Sequence, residues 1–298
     1  MQKDERVGFI GLGAMGGPMA TNLIKAGVPV VVHDLDPSKC AAFQQLGAMV
    51  ADSPAELALH ARTIVCIVET TAQVRSVVCG EHGLMNNAKP GHNIACMSTA
   101  SPSELARIAD ELASHGVGFV DAPVSGAPEG ATAGTLTIFA AGDDKAIAAF
   151  DRVFAIMGGN VFRLGRVGQG TAAKLINNML FQVNNVAVAE AMAMGAAAGI
   201  DLQQLFEMVK VSTGYSVAFE LRAPRMIRRD FTPGGKVDIS YKDQELETSM
   251  AKELGVPVLL ASVSQQVYQM GRGMGFGRED GSAVFKVYEA LSRKSTAS

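Results

Sequence analysis

Apolar and polar positions in the first half of the chain alternate between two periods. Val7–Gly11 is a short apolar run, whereas Met15–Ala26 repeats its apolar positions at helical spacing and stops at Gly27. Strand-like runs recur at Val28–His33, Thr63–Val68, Asn93–Met97, Gly118–Asp121 and Leu136–Ala141. Helical patterns separate them at Pro37–Leu46, Pro54–His60 and Thr70–Gly80. Ser101-Pro102-Ser103-Glu104 pairs a capping hydroxyl with a carboxylate three positions on, which opens a further helix through Ser114. This order predicts an α/β fold with a mostly parallel, doubly wound sheet covered by helices on both faces.

After about Gly165 the texture changes. Lys174–Ala198 is one long segment rich in Ala, Met, Asn and Leu, with no proline and a single interrupting glycine, Gly195. Leu202–Val209, Asp243–Glu253, Val258–Met270 and Asp280–Leu291 also carry helical spacing. The chain therefore divides into a dinucleotide-type α/β domain over 1–165 and an all-helical domain over 166–298, joined by the long helix. That helix is apolar over most of its circumference, as expected where a partner helix or subunit covers it. The tail, 293–298, is expected to fray.

Composition narrows the function. With 48% hydrophobic and 18% charged residues and a formal net charge of -3, the chain has no basic field of the kind that nucleic acids require. No run of about 18 apolar residues would span a membrane. The polar start, Met1–Arg6, leads directly into a strand-like run rather than into the apolar core of a secretory leader. Cys40, Cys66, Cys79 and Cys96 form no CxxC pair and have no histidine at ligand spacing, so no metal is expected. Cys66 and Cys96 read as small core hydrophobes, and a reducing cytoplasmic location follows.

The first chemical signal is Gly11-x-Gly13-x-x-Gly16, directly after one predicted strand and directly before a helix. Gly11 permits the tight turn, Gly13 lets the backbone approach a pyrophosphate, and Gly16 allows close helix–strand packing. The helix N-terminus adds free N–H groups and the positive end of its dipole. Asp34 follows 18 positions after Gly16, at the end of the next strand, where a carboxylate meets the adenosine ribose hydroxyls. Asp34 and Asp36 would repel a 2′-phosphate and no arginine lies in that turn, so NAD is favoured, with NADP left open by Lys39.

The second signal lies at the start of the long helix, in Gly168-Gln-Gly-Thr-Ala-Ala-Lys174-Leu-Ile-Asn177-Asn178. Lys174 and Asn178 share a face at i and i+4, and Phe181, Gln182 and Asn185 continue it. Two readings stand on the residues alone. One is a solvated face with a capping lysine. The other is a lysine in a polar cleft, its pKa lowered by burial so that it exchanges a proton near neutral pH.

Six blocks occur in order: Gly8-Phe-Ile-Gly-Leu-Gly-Ala-Met-Gly-Gly-Pro-Met19, Asp121-Ala-Pro-Val-Ser-Gly126, Gly134-Thr-Leu136, Lys174-Leu-Ile-Asn-Asn178, Lys242-Asp243 and Gly277-Arg-Glu-Asp280. With these the chain resembles the β-hydroxyacid dehydrogenases, the family of 3-hydroxyisobutyrate dehydrogenase and tartronate semialdehyde reductase, over nearly its whole length. The resemblance implies a Rossmann-type sheet, a nicotinamide cofactor and a homodimer or homotetramer. It also implies reversible oxidation of a small 3-hydroxyacid: 3-hydroxyisobutyrate, glycerate (giving tartronate semialdehyde) or a similar short acid. By the same resemblance Lys174 is the catalytic lysine and Asn178 orients the substrate. Ser125 and Gly126 hold the substrate carboxylate, and Ala127 and Asp243, the latter next to Lys242, complete the substrate-binding set. The cofactor falls to Gly11, Leu12, Gly13, Ala14, Met15, Gly16 and Asp34, with Val68, Thr99, Phe231 and Lys242 around the nicotinamide.

Two departures from the family pattern stand out. Ala127-Pro128-Glu129 replaces a usual second glycine, which would re-aim the substrate pocket, and Val68-Glu69 replaces Leu-Pro, adding a negative charge near the cofactor. Relatives by fold supply two rival enzyme readings. A phosphogluconate-type oxidative decarboxylase needs a basic phosphate clamp, for which Arg222, Arg225, Arg228 and Arg229 are candidates, although a solvated helix face is the ordinary role of such a run. An imine reductase lacks the lysine. A non-catalytic dinucleotide sensor would bind cofactor without turnover, and Lys174 together with Lys242 speaks against it.

Overall fold

A computed structural model describes residues 6–292. The frayed tail expected over 293–298 and most of the polar start lie outside the described residues. The chain forms two compact units, Met1–Lys174 and Leu175–Ser298.

The first unit is built on a nine-stranded sheet. Its strands are β1 (Val7–Ile10), β2 (Val30–His33), β3 (Met49–Val50), β4 (Thr63–Cys66), β5 (Asn93–Cys96), β6 (Gly118–Asp121), β7 (Val124–Ser125), β8 (Leu136–Gly142) and β9 (Gly158–Leu164). The order β3-β2-β1-β4-β5-β6 is parallel throughout, with Val7 of β1 opposite Val30 on one side and Thr63 on the other. β8 then runs antiparallel to β6 and β7, and β9 pairs parallel to β8. Strand alternation divides the apolar residues between two faces. Val7 and Phe9 pack with Met19, Leu23 and Phe150 on one, while Ile10 packs with Leu57, Ile94 and Leu105 on the other. Both faces are covered by helices, and the parallel strands are accordingly buried along nearly their whole length.

β3, β7 and β9 escape the hydrophobic pattern. The first two have only two residues each, too few for a period, and β9 is an exposed edge strand opening on Gly-Gly-Asn. The long helix spans Gln169–Ala197, starting before the expected Lys174. Its glycine-rich entry packs close against the sheet because Gly170 has no side chain: a Cβ there would lie 2.4 Å from the Phe139 carbonyl and 2.5 Å from that of Asp121.

The second unit packs helices Leu202–Lys210, Val217–Arg228, Val237–Leu254, Leu259–Gly273 and Phe285–Leu291 against the remainder of the long helix. Its core joins Val186, Met192, Phe219, Met226, Tyr268 and Phe285. Helix Val217–Arg228 was not legible because Pro224 reads as a breaker, yet the helix continues through it. Among the described residues no helix is long and apolar enough to cross a membrane.

Candidate active site

β1 ends at the glycine loop, and the loop's three glycines do different things. Gly11 has φ +93°, and a Cβ on it would meet the Ile67 carbonyl at 2.0 Å. A Cβ on Gly16 would meet the Gly11 carbonyl at 2.0 Å, so the helix Gly16–Lys25 starts in direct contact with the loop. Around Gly13 nothing lies within 4 Å of a notional Cβ. The outer glycines are required by the protein's own packing, while the middle one keeps a cradle open, which is the fit a pyrophosphate needs. Leu12 is buried, Met15 half-buried and Ala14 exposed.

Asp34, one residue beyond β2, reaches back to the loop: its Oδ2 accepts from the Leu12 N–H at 2.7 Å. Its Oδ1 accepts from the Asp36 N–H at 2.9 Å and lies 3.4 Å from Lys39 Nζ. Asp34 therefore fixes the glycine loop as well as presenting a carboxylate where a ribose would lie. Asp36 is occupied differently, capping helix Pro37–Gln45 through the Ser38 N–H and hydroxyl, whose bonds lower its pKa.

The other candidates of this unit follow the carboxyl ends of the same strands, the edge at which ligands bind in doubly wound sheets. After β4, the Val68 N–H donates to the buried Ser98 hydroxyl at 2.8 Å, tying Val68 to the Ser98-Thr99 segment beyond β5. Thr99 is half-buried and Glu69 exposed. Beyond β6, Ser125 is half-buried, and Gly126 (φ +137°) and Ala127 (φ +56°) turn the chain into helix Ala127–Ala133. Ala127 occupies a backbone region that favours glycine, the residue type the family pattern has there. Asn22, on the glycine-loop helix, donates to the Ala131 carbonyl at 2.9 Å and so joins the cofactor-side helix to this segment.

Asp121, the last residue of β6, is fully buried and anchors the start of the long helix. It accepts from the Gly168 and Thr171 N–H groups at 3.0 and 2.8 Å and from the Thr171 hydroxyl at 2.6 Å. Burial pushes its carboxyl up to about 6, against these donors. In sequence the Asp-Ala-Pro-Val-Ser block points to Ser125 and gives Asp121 no role. Lys174 is half-buried, one turn beyond this anchor on the same helix.

In the helical unit, Asn178 Nδ2 donates to Asp243 Oδ2 at 2.8 Å, and Lys242 Nζ lies 3.1 Å from Asp243 Oδ1. Asn178, Lys242 and Asp243 are thus brought together. The polar stripe on the long helix is not a solvated face. Gln182 and Asn185 are buried, and Asn185 Nδ2 donates to the Tyr268 hydroxyl at 2.8 Å and the Gly281 carbonyl at 2.9 Å. One turn after Asp243, Glu247 is 3% exposed, and neither of its carboxylate oxygens is hydrogen-bonded among the described residues. Burial and the neighbouring Asp243 push its carboxyl up to about 8. No sequence signal marked it, since a lone glutamate on a helix ordinarily faces water.

Phe231 keeps different company, with Lys286 Nζ 4.5 Å above its ring. The arginine cluster also departs from a solvated face. Arg222 pairs with the fully buried Asp280, and Arg225 lies 3.6 Å from the same carboxylate. Burial opposes ionisation of Asp280, and the Arg222 guanidinium overrides it, holding the carboxyl below its ordinary value. Arg229 pairs with Glu289, and Arg228 adds to the lowering of the Asp230 pKa without a salt bridge among the described residues. No group of three or more His, Cys, Asp or Glu among the described residues is arranged to hold a metal ion. Burial raises the thiols of Cys66 and Cys96, the latter to about 12, so both are inert core residues.

Residues 6–165 match the NAD-binding domain of 6-phosphogluconate dehydrogenase, and residues 168–288 match the NAD-binding domain of NADP-dependent 3-hydroxyisobutyrate dehydrogenase. The chain is 36% identical to 2-(hydroxymethyl)glutarate dehydrogenase of Eubacterium barkeri, covering 98% of this chain and 97% of the relative. It is 35% identical to L-threonate dehydrogenase of Escherichia coli, covering 96% and 95%. Among solved structures, 3-hydroxyisobutyrate dehydrogenase from Salmonella typhimurium superposes with a TM-score of 0.85 at 36% identity, covering 95% of this chain and all of that one. With the glycine cradle and the Asn178–Asp243–Lys242 group in view, these matches establish that the chain belongs to the β-hydroxyacid dehydrogenase family, whose members are NAD(P)-binding oxidoreductases acting on a CH–OH group.

Proposed function

We propose that this chain reversibly oxidises a small 3-hydroxyacid to its aldehyde or semialdehyde, preferring NAD. A bound nicotinamide supplies the two-electron redox chemistry, accepting a hydride in one direction and returning it in the other. The glycine cradle at Gly11–Gly16 holds the pyrophosphate, and Asp34 takes the ribose hydroxyls, where Asp36 nearby disfavours a 2′-phosphate. Ser125 and the Gly126 backbone hold the substrate carboxylate, with Ala127 beside them in the substrate-binding segment. Lys174, as neutral amine, takes the hydroxyl proton during oxidation and, as ammonium, returns it during reduction. Asn178 uses its amide nitrogen on Asp243, and on the family pattern it orients the substrate. Val68, Thr99, Phe231 and Lys242 are assigned to the nicotinamide surroundings on the family pattern.

The observation that carries this reading is the 2.8 Å bond from Asn178 to Asp243. It fixes a polar amide one helical turn from Lys174, on a helix whose start is anchored by Asp121. Free, buried Cys40, Cys66 and Cys96 support a reducing, cytoplasmic setting. Exposed Ile176, Leu180 and Met194 on the long helix, with Leu259 and Leu260 beyond it, support a homodimer or homotetramer, testable by light scattering on a sizing column.

A turnover screen tests the function: NAD and NADP against 3-hydroxyisobutyrate, glycerate, L-threonate and 2-(hydroxymethyl)glutarate. The expected result is oxidation of at least one acid, with kcat/KM for NAD at least about tenfold above that for NADP. Tight NADH binding with no turnover across the panel would favour a dinucleotide sensor instead.

A further inference from the structure

The edge of the sheet opposite the glycine loop carries a second concavity. Arg6 precedes β1, Arg62 precedes β4 and Lys89 lies on the loop before β5; all three line a cavity of about 400 Å³ with His60 at the end of helix Pro54–His60. Ala58, Ala61 and Thr63 add small side chains to its lining. One wall is rigid. His92 Nε2 bonds the Ala58 carbonyl at 3.0 Å and its Nδ1 accepts from the Lys89 N–H at 3.1 Å, pinning the Lys89 loop to the helix.

No carboxylate lines this cavity among the described residues. Many basic side chains elsewhere have acids: Arg75 has Glu104 and Glu111, Arg163 has Asp151, Arg272 has Asp238. Arg6, Arg62 and Lys89 have no ion-pair partner among the described residues, although the chain as a whole carries a net charge of -3. Three exposed cations lining one concavity repel each other until an anion enters, and two of them are guanidiniums able to grip an oxyanion with paired N–H groups.

We propose that this cleft binds a compact, multiply charged oxyanion of the phosphate or pyrophosphate class, gripped by Arg6, Arg62 and Lys89 with His60 as a further donor. It sits at the amino ends of β1 and β4, whereas the glycine loop follows the carboxyl end of β1. The two sites are therefore separate, and the anion does not compete with the cofactor.

The test is calorimetric titration of inorganic pyrophosphate into the full chain saturated with NADH, so that the glycine loop is already filled. The wild type should bind about one equivalent. Arg62→Ala/Lys89→Ala should weaken that binding at least about tenfold while leaving NADH affinity unchanged, and Arg62→Lys/Lys89→Arg should retain most of it. The substituted residues are exposed, so circular dichroism of the variants should match the wild type. Absence of saturable binding, abolition of it by NADH, or equal binding by the alanine variant would each overturn the proposal. The first of these is what cations serving only the carbonyl end of helix Pro54–His60 would give.

Discussion

Replacing Glu247 by glutamine should make the protein more stable, increasingly so as pH rises. Glu247 is 3% exposed and its carboxylate oxygens have no hydrogen-bond partner among the described residues, so the fold favours the neutral acid. Its carboxyl titrates near 8 in the fold against 4.5 ordinarily. Between those values the unfolded chain has lost this proton and the folded chain retains it, so stability falls as pH rises. At 1.36 kcal/mol per pH unit the loss reaches about 3 kcal/mol at pH 7 and about 5 kcal/mol from pH 8 upward. Glu247→Gln keeps the shape and cannot ionise. Chemical denaturation of both proteins at pH 5, 6, 7, 8 and 9 should give similar midpoints at pH 5 and a gap widening to several kcal/mol by pH 8 in favour of the variant. A gap that stays constant from pH 5 to 9 would refute the reasoning, because it would mean that Glu247 titrates alike in both states.

The glycine loop separates two kinds of glycine: Gly13→Val should fold normally, since its Cβ meets open space, and should weaken NADH binding by about tenfold or more, whereas Gly11→Ala, with a carbonyl 2.0 Å from its Cβ, should lower the melting temperature as well. Fluorescence titration and thermal melts read both effects. Ala127→Gly should raise stability by about 1 kcal/mol by relieving the φ of +56°, checked by denaturant midpoint. Asp121→Ala should cost about 3 kcal/mol and lower kcat with little change in NADH affinity, because it frees the start of the helix bearing Lys174 while leaving the glycine loop intact.

The parallel core of the fold was legible because its strands are continuous apolar runs separated by amphipathic helices, which is what burial on both faces requires. The elements that stayed hidden lack that imprint. β9 is an exposed edge with nothing to bury on its outer side, and helix Val217–Arg228 carries a proline in its interior. The glycine loop and Asp34 form a local pattern legible from spacing, and the structure joins them through the bond from the Leu12 N–H to Asp34. Asp243 and Asn178 are 65 positions apart and meet only through tertiary packing, so the family pattern indicated them and spacing did not. Asp121, Ser98 and Glu247 were missed for a related reason. Their roles depend on burial and on partners across the fold, and a single acid or hydroxyl in sequence carries neither. The arginine cluster shows the reverse case, where an apparently solvated run answers a buried Asp280.

The central claim is that Lys174 moves the substrate proton. Its most direct test is steady-state turnover of Lys174→Ala with the best acid of the panel, alongside NADH affinity of the same variant. The account predicts an unchanged NADH dissociation constant with kcat reduced by about 10²–10⁴-fold. Near-normal kcat in a correctly folded variant would contradict it.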